Sequence, residues 1–245
     1  MSIGPEAFGE DYLYFYETML GAERSDLEAE LVGRLLGVQP GTSVLDLACG
    51  HGRIGNRLAE RGAEVTGYDA DRYFLERARS DARARGVEAT YLEGDMRALP
   101  WEARFDAALL WFTAFGYFDE EGNRAVLREV RRALRPGGRF VLEMIHLPWL
   151  LLHQQRQLFV RRGVDVMLDE NTWHPASSEM ETRRTVVRDG AVRQVGYTIR
   201  MFMPAELRDW LEEAGFEGVE LLGRERLPVS SEDRRLVALA RTRRT

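Results

Sequence analysis

Apolar positions recur along the first 145 residues with two alternating periods. Leu27, Leu31, Leu35 and Leu36 fall at helical spacing, which predicts a helix over residues 25–36 with Ser25 as its cap. Pro40-Gly41 breaks the chain. Val44-Leu45-Asp46-Leu47-Ala48 is a short apolar strand interrupted by one acid, and a glycine-rich turn follows. A helix then runs over about 53–61 to Gly62, and the next strand, 63–68, ends at Asp69. Asp71 caps a helix that reaches Arg85 and closes at Gly86. Residues 89–92 form a strand ending near Asp95. Residues 105–112 are a near-continuous apolar run, as in a strand covered on both faces. A helix over 121–134 stops at Pro136-Gly137-Gly138, and 139–145 is a fifth strand. Five such repeats imply a mainly parallel sheet with helices on both sides.

The rhythm breaks at Pro148. From there the pattern is strand-like, at 164–168, 185–187 and 192–201, with Asp189-Gly190 as a hairpin turn. Residues 204–213 are again helical, with Pro204 at the start and Gly215 at the end. Strands at 219–222 and 236–240 close the chain. The expected fold is α/β, a Rossmann-like doubly wound sheet with an antiparallel cap inserted after strand five. The expected organisation is a lid or helical segment at 1–30, a ligand-binding domain at 31–147 and 204–245, and the cap at 148–203.

Composition narrows the chemistry. The 245 residues suit one large domain with an appendage, and 30% charged with 10% aromatic residues reads as globular. Forty acids against thirty-four bases give a net charge of −6, which argues against coating DNA or an anionic membrane. All thirty-four bases are arginine, so lysine chemistry is excluded. Cys49 is the sole cysteine, which rules out a disulfide within the chain and a cysteine-based zinc site. The four histidines show no metal-ligand spacing. Residues 1–11 lack signal-peptide blocks, and the longest apolar stretch, 107–118, is too short to span a bilayer; a cytoplasmic protein is expected.

Gly50, Gly52 and Gly55, with Asp69 about twenty residues on, match the fingerprint of dinucleotide-binding folds. A nicotinamide-dependent oxidoreductase is therefore one reading. Asp46 stands against it, because dinucleotide enzymes run apolar residues straight into the first glycine. The turn Asp46-Leu47-Ala48-Cys49-Gly50-His51-Gly52 instead resembles motif I of the class I S-adenosylmethionine-dependent methyltransferases. Ala48 replaces that motif's first glycine, as in the turn of glycine N-methyltransferase. Gly67-Tyr68-Asp69-Ala70 resembles the family's ribose-binding strand end, and Glu93-Gly94-Asp95-Met96-Arg97 its adenine-binding motif. Leu134-Arg135-Pro136-Gly137-Gly138-Arg139 is similar to the turn before its fifth strand. The last two strands match its reversed β-hairpin, which makes seven strands. The resemblance covers residues 31–145 and 204–241.

The resemblance implies S-adenosyl-L-methionine as cofactor and S-adenosyl-L-homocysteine as product. Asp69 would accept from the ribose hydroxyls, and Asp95 from the adenine amine beside Ala70 and Met96. Ala48, Cys49, Gly50 and Gly52 would carry the backbone that meets the methionine end, with backbone N–H groups near Gly52 on its carboxylate and Asp46 accepting from its ammonium. Arg24 resembles the arginine that binds the cofactor carboxylate in glycine N-methyltransferase; the competing reading is an exposed surface arginine. Tyr12, Tyr14 and Tyr16 suggest a lid, with Tyr16 facing the reaction centre and core packing the reading for the other two. Trp111, Phe112 and Thr113 follow strand four, where ligands of open α/β sheets bind, and Trp111 is expected against the cofactor. Glu143 and His146 end strand five. His146 is the candidate general base, and the alternative is a histidine anchoring a strand end. His51 is expected beside the methionine moiety, His153 and His174 in surface or packing roles, and Cys49 buried and inert.

The segment from Trp111 to Phe118 resembles a stretch of bacterial small-molecule methyltransferases and lacks an Asn-Pro-Pro-aromatic tetrapeptide. Transfer of methyl to nitrogen or oxygen of a small molecule, by in-line displacement, is the leading expectation. Methylation of RNA or protein, the oxidoreductase, and a non-catalytic module that binds the cofactor or its product are the alternatives. Trp149, Trp173, Phe159 and Met167 would roof the site or pair with a second subunit in a homodimer. Arg161-Arg162 and Arg183-Arg184 read as a solvated face.

Overall fold

The computed structural model describes residues 8–153, 155–223 and 228–244. Its centre is a seven-stranded sheet. The strands are β1 (Ser43–Leu47), β2 (Glu64–Asp69), β3 (Ala89–Glu93), β4 (Phe105–Leu110), β5 (Leu134–Ile145), and two late ones, β10 (Phe216–Leu222) and β11 (Arg235–Thr242). Their order is β10-β11-β5-β4-β1-β2-β3, parallel from β5 to β3, with β11 antiparallel to both neighbours. Chain order reverses beside β1, and the C-terminal ends of β1 and β4 therefore frame a crevice.

Consecutive residues of the central strands enter opposite layers, which is why their sequences carry no alternation. Leu45, Leu47, Ala108, Leu110, Phe140 and Leu142 face helices α5 (Glu120–Ala133) and α7 (Pro204–Glu213). Val44, Val65, Ala107, Leu109 and Val141 face α2 (Ala22–Leu36) and α3 (Gly55–Glu60). Helix α4 (Arg72–Arg85) is capped by Asp71, whose carboxylate accepts from Phe74 N at 3.2 Å, and ends at left-handed Gly86.

Several boundaries differ from the expected ones. α2 begins at Ala22, so Ser25 is an interior residue whose hydroxyl donates to Leu20 O. Its buried face holds Ala29, Val32, Gly33, Leu35 and Leu36, so the expected Leu35 and Leu36 are inside while Leu27 is 62% exposed, because small residues take the inner places in the first turns. β4 stops at Leu110 because Phe112 and Thr113 turn into left-handed backbone. β5 starts at Leu134 and runs through Pro136-Gly137-Gly138.

Residues 147–200 were only partly legible. A short helix, α6 (Leu147–Leu152), precedes a separate antiparallel sheet of β6 (Gln157–Arg162), β7 (Asp165–His174), β8 (Glu179–Arg188) and β9 (Ala191–Arg200). The helix and β6 were not expected. The Asp189-Gly190 turn joins β8 to β9, both residues with positive φ. The segment read as one lid divides in two. α1 (Glu10–Tyr16) packs on the cap, with Phe15 buried against Met167 and Val186 and Tyr14 donating to Asp165 at 2.8 Å, while α2 belongs to the sheet.

Candidate active site

A cavity of about 550 Å³ opens at the C-terminal ends of β1, β2, β3 and β4. Its floor is the glycine turn. Ala48, Gly50 and Gly52 all have positive φ, at 52°, 53° and 73°. A side chain on Gly52 would meet Ala78 Cβ at 2.9 Å, so glycine there lets α4 approach the turn. Ala48, Cys49, Gly50 and His51 line the cavity, and Gly52 does not. Gly52 N donates to Cys49 O at 3.0 Å, and Gly55 N donates to Asp46 Oδ2 at 3.1 Å. The helix start expected to hold a carboxylate therefore spends these N–H groups internally.

The acids stand along one wall. Asp69 receives Gly50 N at 2.7 Å on one oxygen and Asp71 N at 2.9 Å on the other, which fixes its plane. Burial nonetheless raises its pKa above the usual carboxylate value. Asp46 is 3% exposed, and burial pushes it up to about 7 against the pull of Arg53. Asp95 is more open. Both its oxygens meet the Arg97 guanidinium, at 3.0 and 2.5 Å, and those bonds hold its pKa down. A carboxylate has lone pairs beyond these, so Asp95 retains acceptor capacity toward the cavity. Ala70, Met96 and Trp111 also line it. Trp111 Nε1 donates to Glu28 at 2.9 Å.

Aromatic rings also line the cavity, those of Phe8, Tyr12, Phe112 and Tyr117. Glu143, 2% exposed, holds the left-handed loop by accepting from Phe112 N at 2.7 Å, and Thr113 accepts from Ile145 N at 3.0 Å. Phe8 meets Tyr12 edge-on at 5.3 Å and Tyr117 at 5.5 Å. Burial raises the Tyr12 and Tyr117 pKa values, so both hydroxyls stay protonated.

Several expected site residues sit elsewhere. Tyr16 does not line the cavity; it stacks behind Tyr12 at 4.2 Å, because one helical turn separates the two rings and Tyr12 takes the inner place. Arg24 lies at the rim, 43% exposed, on Glu28 at 2.7 Å. His146 is buried and does not line the cavity, with Nδ1 on Asp233 O at 2.9 Å. His51 lines the cavity, and burial first, then Arg53, lowers its pKa to about 4. Burial drives the Cys49 thiol upward, so it is not a nucleophile. His153 Nδ1 donates to Trp149 O, and His174 pairs with Glu181. None of Trp149, Trp173, Phe159 and Met167 lines the cavity; Phe159 is 60% exposed and Met167 is buried under α1.

Two features escaped the sequence. Arg53 lines the cavity, one residue past the glycine turn. Arg184 is 2% exposed rather than solvated, paired with Asp169 at 2.7 Å on two nitrogens, and it donates to the Tyr197 hydroxyl at 3.2 Å. Its signal was available. Met180, Thr182, Arg184 and Val186 alternate on the buried face of β8, and Asp169 is the residue opposite on β7.

Residues 44–138 match the family model described as a methyltransferase domain. A demethylmenaquinone methyltransferase of Thermus thermophilus is 43% identical over 102 residues, 40% of this chain and 45% of that protein. Three curated relatives matched at 36–43% identity are each spanned over only 42–53% of their length. Among solved structures, the CcbJ methyltransferase of Streptomyces caelestis superposes with a TM-score of 0.76 at 26% identity, over 89% of each chain. An amino pentose methyltransferase of Micromonospora echinaspora, CalS10, solved with S-adenosylmethionine, superposes at 0.67 with 22% identity over 96% and 98%. Residues 44–138 are thus similar to a methyltransferase domain, and the fold is that of S-adenosylmethionine-dependent methyltransferases. The turn on which the oxidoreductase reading rested lies inside the matched segment. Among the described residues, no helix is long and apolar enough to cross a membrane, and no three His, Cys, Asp or Glu residues form a metal-binding group.

Proposed function

We propose that the protein transfers methyl from S-adenosylmethionine to a nitrogen or oxygen of a small molecule. One observation carries this reading: a single cavity is lined both by acids, Asp46, Asp69 and Asp95, and by aromatic rings, Tyr12, Phe112 and Tyr117. The acids suit an adenosine and an amino-acid ammonium, and the rings suit an acceptor that must shed water. The cofactor supplies an electrophilic methyl when bound. Asp69 and Asp95 hold its nucleoside beside Ala70 and Met96, and Asp46 takes its ammonium. The aromatic rings exclude water and align the acceptor, and alignment supplies most of the acceleration that an in-line displacement requires. The proposal gives the role of cavity-facing tyrosine to Tyr12 and removes the proton-transfer role from His146. The acceptor then enters as its free amine or ionised hydroxyl.

The test is incubation of purified protein with S-adenosylmethionine and a panel of small amines, phenols and quinols, reading S-adenosylhomocysteine and methylated products by mass spectrometry. Turnover of at least one small acceptor is expected, and the product identifies nitrogen or oxygen. Methylation of tRNA or protein without small-molecule turnover overturns the acceptor class. Tight cofactor binding with no turnover on any acceptor supports the binding module instead.

A further inference from the structure

Arg53 is 8% exposed and lines the cavity. Its Nη2 donates to Glu28 Oε2 at 2.5 Å. Its Nη1 is buried and has no hydrogen-bond partner among the described residues. A guanidinium stays charged and offers five donors in a rigid fork, and a buried charged donor left unmatched is costly.

The surroundings leave positive charge in excess. Glu28 also accepts from Arg24 Nε at 2.7 Å and from Trp111 Nε1 at 2.9 Å, so one carboxylate serves two guanidiniums and an indole. Burial pushes the Glu28 carboxyl up, but Arg53 and these hydrogen bonds outweigh it and hold the group ionised. Arg235 pairs with Glu143. The three guanidinium carbons of Arg24, Arg53 and Arg235 stand 5.4, 5.1 and 5.2 Å from the centre of the Phe112 ring. Three cations thus share two carboxylates. Asp46 lines the same cavity and interacts electrostatically with Arg53, while Gly52 N and Gly55 N are already engaged. An acid beside an unmatched guanidinium is a recognition pair for the zwitterionic end of an amino acid.

We infer that Arg53, through Nη1, binds the carboxylate of the cofactor's methionine moiety, and that Glu28 positions the guanidinium for it. The inference rests on the methyltransferase reading above. It relocates the carboxylate contact from Arg24, whose side chain lies at the rim.

The experiment is calorimetry of ligand-free protein with two ligands. S-adenosylhomocysteine carries the amino-acid end; 5′-methylthioadenosine keeps the adenosine and the sulfur and lacks that end. Arg53→Gln should weaken S-adenosylhomocysteine about 10- to 100-fold, as expected for loss of a charge-assisted pair, and leave 5′-methylthioadenosine within about twofold. Glu28→Gln should show the same selectivity with a smaller loss. Equal weakening of both ligands assigns Arg53 to the scaffold of the turn and overturns the inference, as does unchanged S-adenosylhomocysteine affinity. If Arg53→Gln does not fold, Arg53→Lys keeps the charge and removes the fork: selective loss supports the inference and unchanged affinity for both ligands overturns it. Absence of S-adenosylhomocysteine binding by the unaltered protein is a separate outcome, because it defeats the methyltransferase reading itself.

Discussion

The two sheets handle buried carboxylates in opposite ways. In the parallel sheet, Asp46 and Asp69 are satisfied by backbone N–H groups of Gly55, Gly50 and Asp71, at the strand-to-helix turns. In the cap, Asp169 is satisfied by one side chain, Arg184, on the neighbouring strand. Backbone donors sit wherever the turn geometry puts them, so the acids that use them sit at fixed spacings. A side-chain pair can be placed at any register of a hairpin. The first arrangement suits a site whose donors are fixed by the fold, and the second suits a sheet whose pairing is set by its own sequence.

The largest test of this contrast is Arg184→Ala. It strands Asp169 as an unpaired charge 3% exposed, and the loss of folding stability should be about 3–5 kcal/mol in urea denaturation. The double replacement Asp169→Leu with Arg184→Met removes both charges and should recover most of that loss. If the cap is energetically separate from the cavity, the double variant binds S-adenosylhomocysteine within about threefold of the parent protein, since neither residue lines the cavity. A tenfold loss of S-adenosylhomocysteine affinity would show that the cap shapes the cavity from behind its lining.

Asp69→Ala probes the other region. The change deletes the acceptor proposed for the ribose and releases the N–H groups of Gly50 and Asp71, so S-adenosylhomocysteine should bind about 100-fold more weakly by calorimetry. An affinity within about threefold of the parent protein would remove Asp69 from the ligand set.

The parallel sheet was largely legible because its signals are local. Asp71, Gly86 and Pro204 mark helix ends by their own backbone and side-chain preferences, and near-continuous apolar runs mark strands covered on both faces. The glycine turn and its acids repeat at spacings that geometry enforces. The failures share another cause. Whether Tyr12 or Tyr16 faces the cavity depends on how α1 rotates against the cap, and that is set by Phe15, Met167 and Val186, residues more than 150 positions apart in part. Arg53 reads as an ordinary helix-start residue until Glu28 and Trp111 are brought beside it. His146 looks like a base at a strand end until the Asp233 carbonyl occupies its ring nitrogen.

Asp46 adds a pH-dependent test. An unfolded aspartate ionises near 3.9, whereas burial holds Asp46 protonated until about 7. Between those values the folded state binds more protons than the unfolded one, so this group's contribution to stability falls as pH rises and levels off above about 7. Asp69 adds to the upward push, and Arg53 with Gly55 N opposes it. An ammonium partner needs the ionised form. S-adenosylhomocysteine affinity should therefore rise roughly tenfold per pH unit toward 7 and then flatten, while 5′-methylthioadenosine, which has no ammonium, should not follow. Asp46→Asn should abolish the difference between the two ligands' profiles. Parallel profiles for the two ligands in the parent protein would mean that Asp46 does not meet the ammonium.

The smallest expected effect belongs to Arg24→Ala. Arg24 is 43% exposed and its partner Glu28 lies four residues on in the same helix, a solvent-screened arrangement worth a few tenths of a kcal/mol. Glu28 keeps Arg53 and Trp111 when Arg24 is removed. Folding stability should change by less than about 0.5 kcal/mol, and S-adenosylhomocysteine affinity by less than about threefold. The result separates a rim residue from a ligand: an affinity loss above about 30-fold would return the carboxylate contact to Arg24. It would also mean that an exposed side chain of α2, rather than the buried guanidinium beside the turn, completes the parallel-sheet half of the site.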